Sequence, residues 1–231
     1  MKLILQKIIM IGLPLISITL VYHQAAAQNG QDNEDLPSPR EAAPIDMTGT
    51  WVSVVTEAWR YRMVTPGRGD YAGVPINDDA YLVALAWDPE ADEAAGQACK
   101  AYGAPRIMSE PGRVRISWED DETLKVEIDS GMQTRRLHFN SSLEDVSTEK
   151  SLQGHSVAEW INVSGSTGTL KVVTTNLVAG YLRKNGVPYT EDLIMTEYWN
   201  VNQLSDAPWL VVTTEIIDSA YLQIPYVVSP N

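Results

Sequence analysis

The sequence predicts an all-β domain, mainly antiparallel, with about eight strands and one short helical insert. Two observations lead to this prediction. From residue 106 onward, short segments rich in β-branched residues alternate with turns rich in Gly, Asn, Asp and Pro. Before that point, helical spacing of apolar residues is confined to one stretch. Antiparallel strands in this number, within a single domain without disulfides, close into a barrel or form a sandwich.

The first part of the domain contains one predicted strand, a loop and the helical insert. Residues 49–57 are rich in β-branched side chains and predict the first strand. Prolines and glycines interrupt residues 60–76, which predicts a long loop of the kind that often carries function. From residue 77, apolar residues recur at helical spacing until Pro89 ends the helix. A second helical turn is predicted around residues 91–99.

The remaining strands follow one another without a long interruption. Residues 114–118 and 124–128 alternate between apolar and polar side chains around an acidic turn, which predicts a hairpin. Residues 132–139 predict the next antiparallel strand. Further strands are predicted at residues 156–162, 169–176, 193–201 and 209–217.

The N-terminus is predicted to be a cleavable signal peptide, residues 1–27. Two lysines come first, residues 8–21 are apolar, and three alanines precede Gln28 in an A-x-A-like cleavage site. The apolar run is shorter than the roughly 20 residues that a membrane-spanning helix needs. Cleavage near Ala27 predicts a periplasmic or secreted protein, and an uncleaved N-terminal anchor is the alternative.

Composition limits the possible partners. Residues 28–45 are polar and contain three prolines, which predicts a disordered leader before one domain, residues 46–231. The full chain carries a net charge of −13, and because residues 1–27 hold two lysines and no acidic residue, the mature chain carries −15. Such a surface repels phosphate backbones and anionic headgroups, so we expect no nucleic-acid partner and no membrane attachment after cleavage. Cys99 is the only cysteine, so no internal disulfide forms.

Several motifs occur in a characteristic order over residues 46–228. They are Gly49-Thr-Trp51, Cys99-x3-Gly103-Ala-Pro105-Arg106, Gly154-His155-Ser156-x3-Trp160, Asn185-Gly186-x-Pro188-Tyr189 and Asp218-x-Ala-Tyr221-Leu-x-x-Pro225. In this order they resemble a family of exported bacterial proteins of unassigned function with a lipocalin-like β-barrel. The resemblance implies that fold and export, and it implies no activity. The chain departs from the family's acidic Glu-Gly-Asp turn at residues 161–169, which form a longer turn of Asn, Ser and Gly.

His155 and Glu197 are the candidate catalytic residues. Imidazole titrates near neutral pH, and His155 follows a loop at a predicted strand start, where general acid/base chemistry is natural. A hydrogen-bonded structural histidine is the alternative. Glu197 lies among aromatic residues, where a desolvated carboxylate can orient His155 or share a proton with it. The alternative for Glu197 is a structural ion pair with Arg106, Arg135 or Arg136.

Neither a metal nor a cofactor is predicted. His138 is the second histidine of the mature chain and is expected on the solvent face of its strand. A metal site needs further ligands, and no His-x-His or Cys-x-x-Cys spacing supplies them. An exported protein also lies in a compartment without ATP or reduced nicotinamide cofactors, which favours binding or cofactor-free chemistry. The sequence contains no signal for a particular oligomeric state.

The aromatic composition predicts a ligand cavity. The chain has seven Trp and ten Tyr against one Phe, and rings with an apolar face and a polar tip suit a cavity for a small apolar molecule. Ordinary core packing is the alternative for most of them. The candidate ligand-binding residues are Trp51, Trp59, Tyr61, Arg106, Trp118, Trp160, Tyr198 and Trp199.

Three functions follow from these features. The first is binding of a small, mostly apolar molecule, ring-bearing or terpenoid-like, inside a lipocalin-like barrel. The second is a cofactor-free acid/base enzyme on the same scaffold, an isomerase, lyase, cyclase or hydrolase that uses His155 and Glu197. The third is an interaction module whose acidic face docks a basic partner.

Overall fold

The computed structural model describes residues 37–144, 149–204 and 207–230, and strand is the main regular structure in them. The predicted signal peptide and residues 28–36 of the predicted leader lie outside the described residues. The rest of that leader has defined contacts, because the Trp160 indole donates to the carbonyl of Pro39 over 2.9 Å and Ile45 packs against the core. Within the described part of the chain, no helix is long and apolar enough to span a membrane.

The strands follow the predicted order closely. They are β1 Gly49–Val52, β2 Arg113–Trp118, β3 Thr123–Ile128, β4 Gln133–His138, β5 His155–Ser164, β6 Thr167–Thr175, β7 Gly180–Arg183, β8 Val187–Tyr189, β9 Ile194–Leu204, β10 Ala207–Ile217 and β11 Tyr226–Val228. Nine of them form one curled sheet in the order β1-β2-β3-β4-β5-β6-β9-β10-β11, and β7 pairs with β8 separately.

The predicted strand-rich fold is confirmed, whereas its predicted closure into a barrel of about eight strands is wrong. The sheet is mixed, because β4 and β5 run parallel where Leu137 lies beside Ser156, whereas all other neighbours are antiparallel. It is also an open half-barrel. In the described residues β1 pairs only with β2, and β11 covers only residues 214–216 of β10. Closure would need backbone hydrogen bonds between the first and last strands. Beyond β11 the described chain adds only the bond from the Val212 amide to the Pro230 carbonyl, at 3.2 Å, which leaves residues 207–211 of β10 without a strand on that side.

The β2–β3 hairpin shows why these segments form strands. Leu124, Val126 and Ile128 point to the core and are 1%, 0% and 4% exposed, whereas the intervening Lys125 and Glu127 point away and pair with each other at 3.4 Å. This period of two places every second side chain on one face. The hairpin is therefore confirmed as predicted.

The helical insert is longer and more broken than predicted. It consists of α1 Trp59–Met63, α2 Asp78–Leu85, α3 Pro89–Ala94, a 3₁₀ turn at Ala98–Tyr102 and α4 Ala104–Ile107. Asn77 caps α2, because its Oδ1 accepts from the Ala80 amide at 2.9 Å. Pro89 begins α3 instead of ending a helix, because proline is tolerated in a first helical turn, where its missing N–H is not needed.

Two hydrophobic clusters fill the domain. The first occupies the concave face of the sheet, with Leu137, Leu170, Val172 and Trp199 at most 1% exposed. The second joins α2 to the β7–β8 hairpin. Gly186 turns that hairpin with φ +84°, and the Trp87 ring lies where a Cβ would be, so only glycine fits.

Candidate ligand-binding site

Glu197 belongs to a buried ion pair on the concave face. Its carboxylate accepts two hydrogen bonds from Arg135, at 3.1 Å from Nη1 and 2.6 Å from Nη2. Both side chains are completely buried. Arg135 Nη2 also lies 3.4 Å from the Thr174 hydroxyl, which is 2.8 Å from that of Ser156. Such a bidentate pair fixes the position and orientation of the carboxylate.

His155 lies on the opposite face of the sheet from Glu197. Val172 is paired with both Ala158 and Glu197, so all three point to the core. No register shift separates Ala158 from His155, so the odd-numbered His155 points outward. Its Nε2 lies 3.0 Å from the Ser141 hydroxyl. The structure therefore does not bring the two candidate catalytic residues together.

His138 and His155 stack on the outer face, with ring centroids 5.6 Å apart. Burial lowers the pKa of His138, and the neighbouring His155 and Arg136 add to this effect, whereas Asp120 and Glu119 oppose it. Burial and the contacts with His155 and Arg136 thus favour the neutral form of His138 in the folded protein.

Stability is expected to fall with acidification because of His138. Its folded pKa lies below the unfolded value of about 6.5, so the unfolded chain takes up the proton first as pH falls through that value. The unfolding free energy therefore decreases from pH about 7.5 to about 5. Urea titrations at both pH values are expected to show a smaller decrease for His138→Gln than for the unsubstituted protein. Equal decreases would contradict this assignment.

Most of the predicted aromatic ligand residues have structural roles. Trp199 is 1% exposed in the core. Trp118 and Trp160 pack on either side of Phe139, each with ring centroids 5.5 Å from it. Tyr198 is half-buried and, next to inward-facing Trp199, points to the outer face. Trp59 is 65% exposed on α1.

Trp51 lines an apolar cleft where the two ends of the curled sheet approach each other. We call this the seam cleft and define it by Trp51, Val54, Met108, Trp209, Leu210 and Pro230. Its volume is about 250 Å³. β1 supplies one wall and the uncovered half of β10 the other. The Trp51 indole is fixed by donating to the carbonyl of Met47 over 2.9 Å.

Tyr61 and Arg106 line a second cavity beside the seam cleft. We call it the basic pocket and define it by Tyr61, Arg62, Arg106, Arg183, Tyr226 and Ser229. Its volume is about 310 Å³. Chain neighbours connect the two cavities, because Met108 and Pro230 line the seam cleft whereas Ser109 and Ser229 line the basic pocket. Consecutive Cα atoms are 3.8 Å apart, so the two cavities lie near each other along these two segments.

Sequence reasoning missed most of the residues that line these cavities, among them Met108, Arg62 and Arg183. Arg183 had a usable signal, because it ends the mostly apolar segment 177–182. A charged side chain at the end of an apolar segment is expected either to turn outward into solvent or to be buried beside a partner. No comparable signal marks Met108, which resembles any core methionine.

Comparisons with protein-family models, curated proteins and solved structures found no match to this chain. Across residues 37–144, 149–204 and 207–230, no group of three or more His, Cys, Asp or Glu side chains is arranged to hold a metal ion.

Proposed function

We propose that this protein binds a small, mostly apolar molecule, ring-bearing or terpenoid-like, in the seam cleft. The observation that carries the proposal is the position of an apolar cleft at the open edge of the sheet. The core side chains occupy the concave face, so the ligand site lies at the seam instead of in the interior of a closed barrel.

The walls of the seam cleft support this proposal. Met108 and Leu210 contribute flexible aliphatic surface, and the indoles of Trp51 and Trp209 offer flat faces suited to rings. The volume of about 250 Å³ is close to the lower end of the roughly 300–1,000 Å³ typical of ligand pockets. An apolar cleft left open to solvent is a common mark of a binding site.

Export belongs to the same proposal. The predicted signal peptide would deliver the protein to the periplasm or the exterior, where a binder of apolar molecules has a natural use because such molecules are poorly soluble in water. The resemblance to exported proteins with lipocalin-like barrels supports the same reading.

Trp209→Ala is expected to weaken binding of naphthalenemethanol, a neutral ring-bearing probe, about tenfold. Loss of one buried aromatic contact typically costs about 1–3 kcal/mol, and a tenfold change corresponds to about 1.4 kcal/mol. Isothermal titration calorimetry measures the affinity directly. Trp59→Ala is the matched control, because that indole is exposed and lies outside the seam cleft.

Two results would contradict the proposal. One is absence of binding of the neutral probe by the unsubstituted protein. The other is an equal effect of both Trp substitutions, which would place the probe on the general surface.

A further inference from the structure

The basic pocket concentrates positive charge inside an acidic protein. Arg62, Arg106 and Arg183 all line it and are 6%, 5% and 4% exposed. A buried guanidinium is expensive unless anions and hydrogen bonds compensate its charge. The hydrogen-bond and ion-pair partners of each arginine therefore indicate which positive charge lacks compensation.

Arg106 is fully occupied. Its Nε donates to Glu110 at 2.6 Å, Nη1 to the Leu182 carbonyl at 3.3 Å and Nη2 to the Tyr61 carbonyl at 3.3 Å. Lys184 also pairs with Glu110, at 2.5 Å. Each nitrogen of this guanidinium therefore has a partner, and Arg106 links the elements that line the pocket.

Arg62 is partly occupied. Its Nε donates to the Ser109 carbonyl at 2.9 Å, and Nη1 pairs with Glu57. Its Nη2 is buried and has no hydrogen-bond partner within the described structure. Nη2 of Arg62 is thus the nitrogen of this guanidinium that remains unused.

Arg183 is the least compensated of the three. Its guanidinium lies over the Tyr61 ring, with 4.1 Å between Cζ and the ring centroid. Its Nη1 is buried without a hydrogen-bond partner, and no carboxylate of the described residues lies within 4.0 Å of it. Because Glu57 and Glu110 are taken by Arg62 and Arg106, the charge of Arg183 has no nearby counterpart.

We propose that the basic pocket binds the carboxylate of an amphipathic organic acid whose apolar part lies in the seam cleft. This inference rests on the proposed function and specifies its ligand class. The unused donors, Nη2 of Arg62 and Nη1 of Arg183, supply charge-assisted hydrogen bonds to the carboxylate oxygens. Among the three arginines that line the pocket, Arg183 alone lacks a carboxylate partner in the described residues, and the carboxylate of the ligand would supply one. Residues adjacent in the chain line the two cavities, which places the proposed carboxylate site next to the proposed apolar site.

Three probes with the same ring test the proposal: naphthoate, naphthalenemethanol and naphthyl phosphate. Isothermal titration calorimetry is expected to show naphthoate binding at least about tenfold more tightly than naphthalenemethanol, since charged hydrogen bonds contribute about 1.5–3 kcal/mol. Arg183→Gln is expected to remove this advantage and leave naphthalenemethanol binding unchanged. Arg113→Gln is the matched control, because Arg113 is exposed and paired with Asp129, and it should change neither affinity.

A stability measurement separates ligand binding from a structural role. Because Arg183 lacks a carboxylate partner, the ligand-free Arg183→Gln protein should unfold at the same or a higher urea concentration than the unsubstituted protein. A structural arginine would give the opposite result. If Arg183→Gln misfolds and binds neither probe, Arg62→Gln tests the carboxylate site instead. This variant is expected to lose the tighter binding of naphthoate and to keep its affinity for naphthalenemethanol.

The outcomes distinguish this inference from the proposed function. Equal affinities for naphthoate and naphthalenemethanol would overturn the carboxylate site and leave the apolar site intact. Tighter binding of naphthyl phosphate than of naphthoate would replace the carboxylate by a phosphate and also overturn the inference. Absence of binding for all three probes would reject the proposed function itself.

Discussion

Glu197→Ala is expected to destabilise the protein by about 3–5 kcal/mol. The substitution removes the carboxylate that compensates Arg135, and both side chains are completely buried. The guanidinium would then remain in the core without its counter-charge. Chemical denaturation with guanidinium chloride measures the change as a shift of the unfolding midpoint.

Two further proteins make this prediction specific. Glu159→Ala also breaks a strand-to-strand ion pair, with Lys171, but the Glu159 side chain is 57% exposed, so a cost below about 1 kcal/mol is expected. The double substitution Arg135→Met with Glu197→Leu removes both charges and should recover most of the stability. If the double variant is as unstable as Glu197→Ala, the cost lies in packing and not in the unpaired charge.

Trp199→Ala is expected to have a similarly large effect, a loss of about 3–5 kcal/mol. Trp199 is 1% exposed within the cluster on the concave face, so its removal leaves a cavity that neighbouring side chains cannot fill completely. Thermal and chemical unfolding measure the loss. The exposed Trp59 gives the comparison, since Trp59→Ala should change stability by less than about 0.5 kcal/mol.

The Trp199 result also decides between two interpretations of this residue. The sequence places it among candidate ligand residues, whereas the structure places it in the core. A stable Trp199→Ala protein that no longer binds naphthalenemethanol would return it to the ligand site.

Local patterns explain which parts of the fold the sequence could predict. The hairpin at residues 113–128 has strict alternation and an acidic turn, and the structure confirms it. β7, β8 and β11 have only three or four residues each, too few to show a period. The sequence also contains no local signal for what lies beside the first strand. Barrel closure, inferred from strand number and from the family resemblance, is therefore wrong.

The candidate site depends on features that local patterns do not contain. Whether His155 and Glu197 face each other is set by the register across β5, β6 and β9, and a shift of one residue reverses the answer. The aromatic residues were recognisable as a set, but only packing separates Trp51, at the seam cleft, from Trp199, in the core. The absence of a carboxylate partner for Arg183 could not be predicted from local sequence, because it depends on which side chains the whole fold places beside this residue.

The open seam between β1 and β10 affects how fast the proposed ligand would be exchanged. In the described residues no backbone hydrogen bond joins β1 to β10, so a molecule can enter or leave between them without rupturing the sheet. Under the proposed function, a ligand in the seam cleft would be exchanged through rotations of lining side chains such as Met108. Side-chain rotations are much faster than the collective opening of loops, so we expect fast loading and release of the proposed ligand.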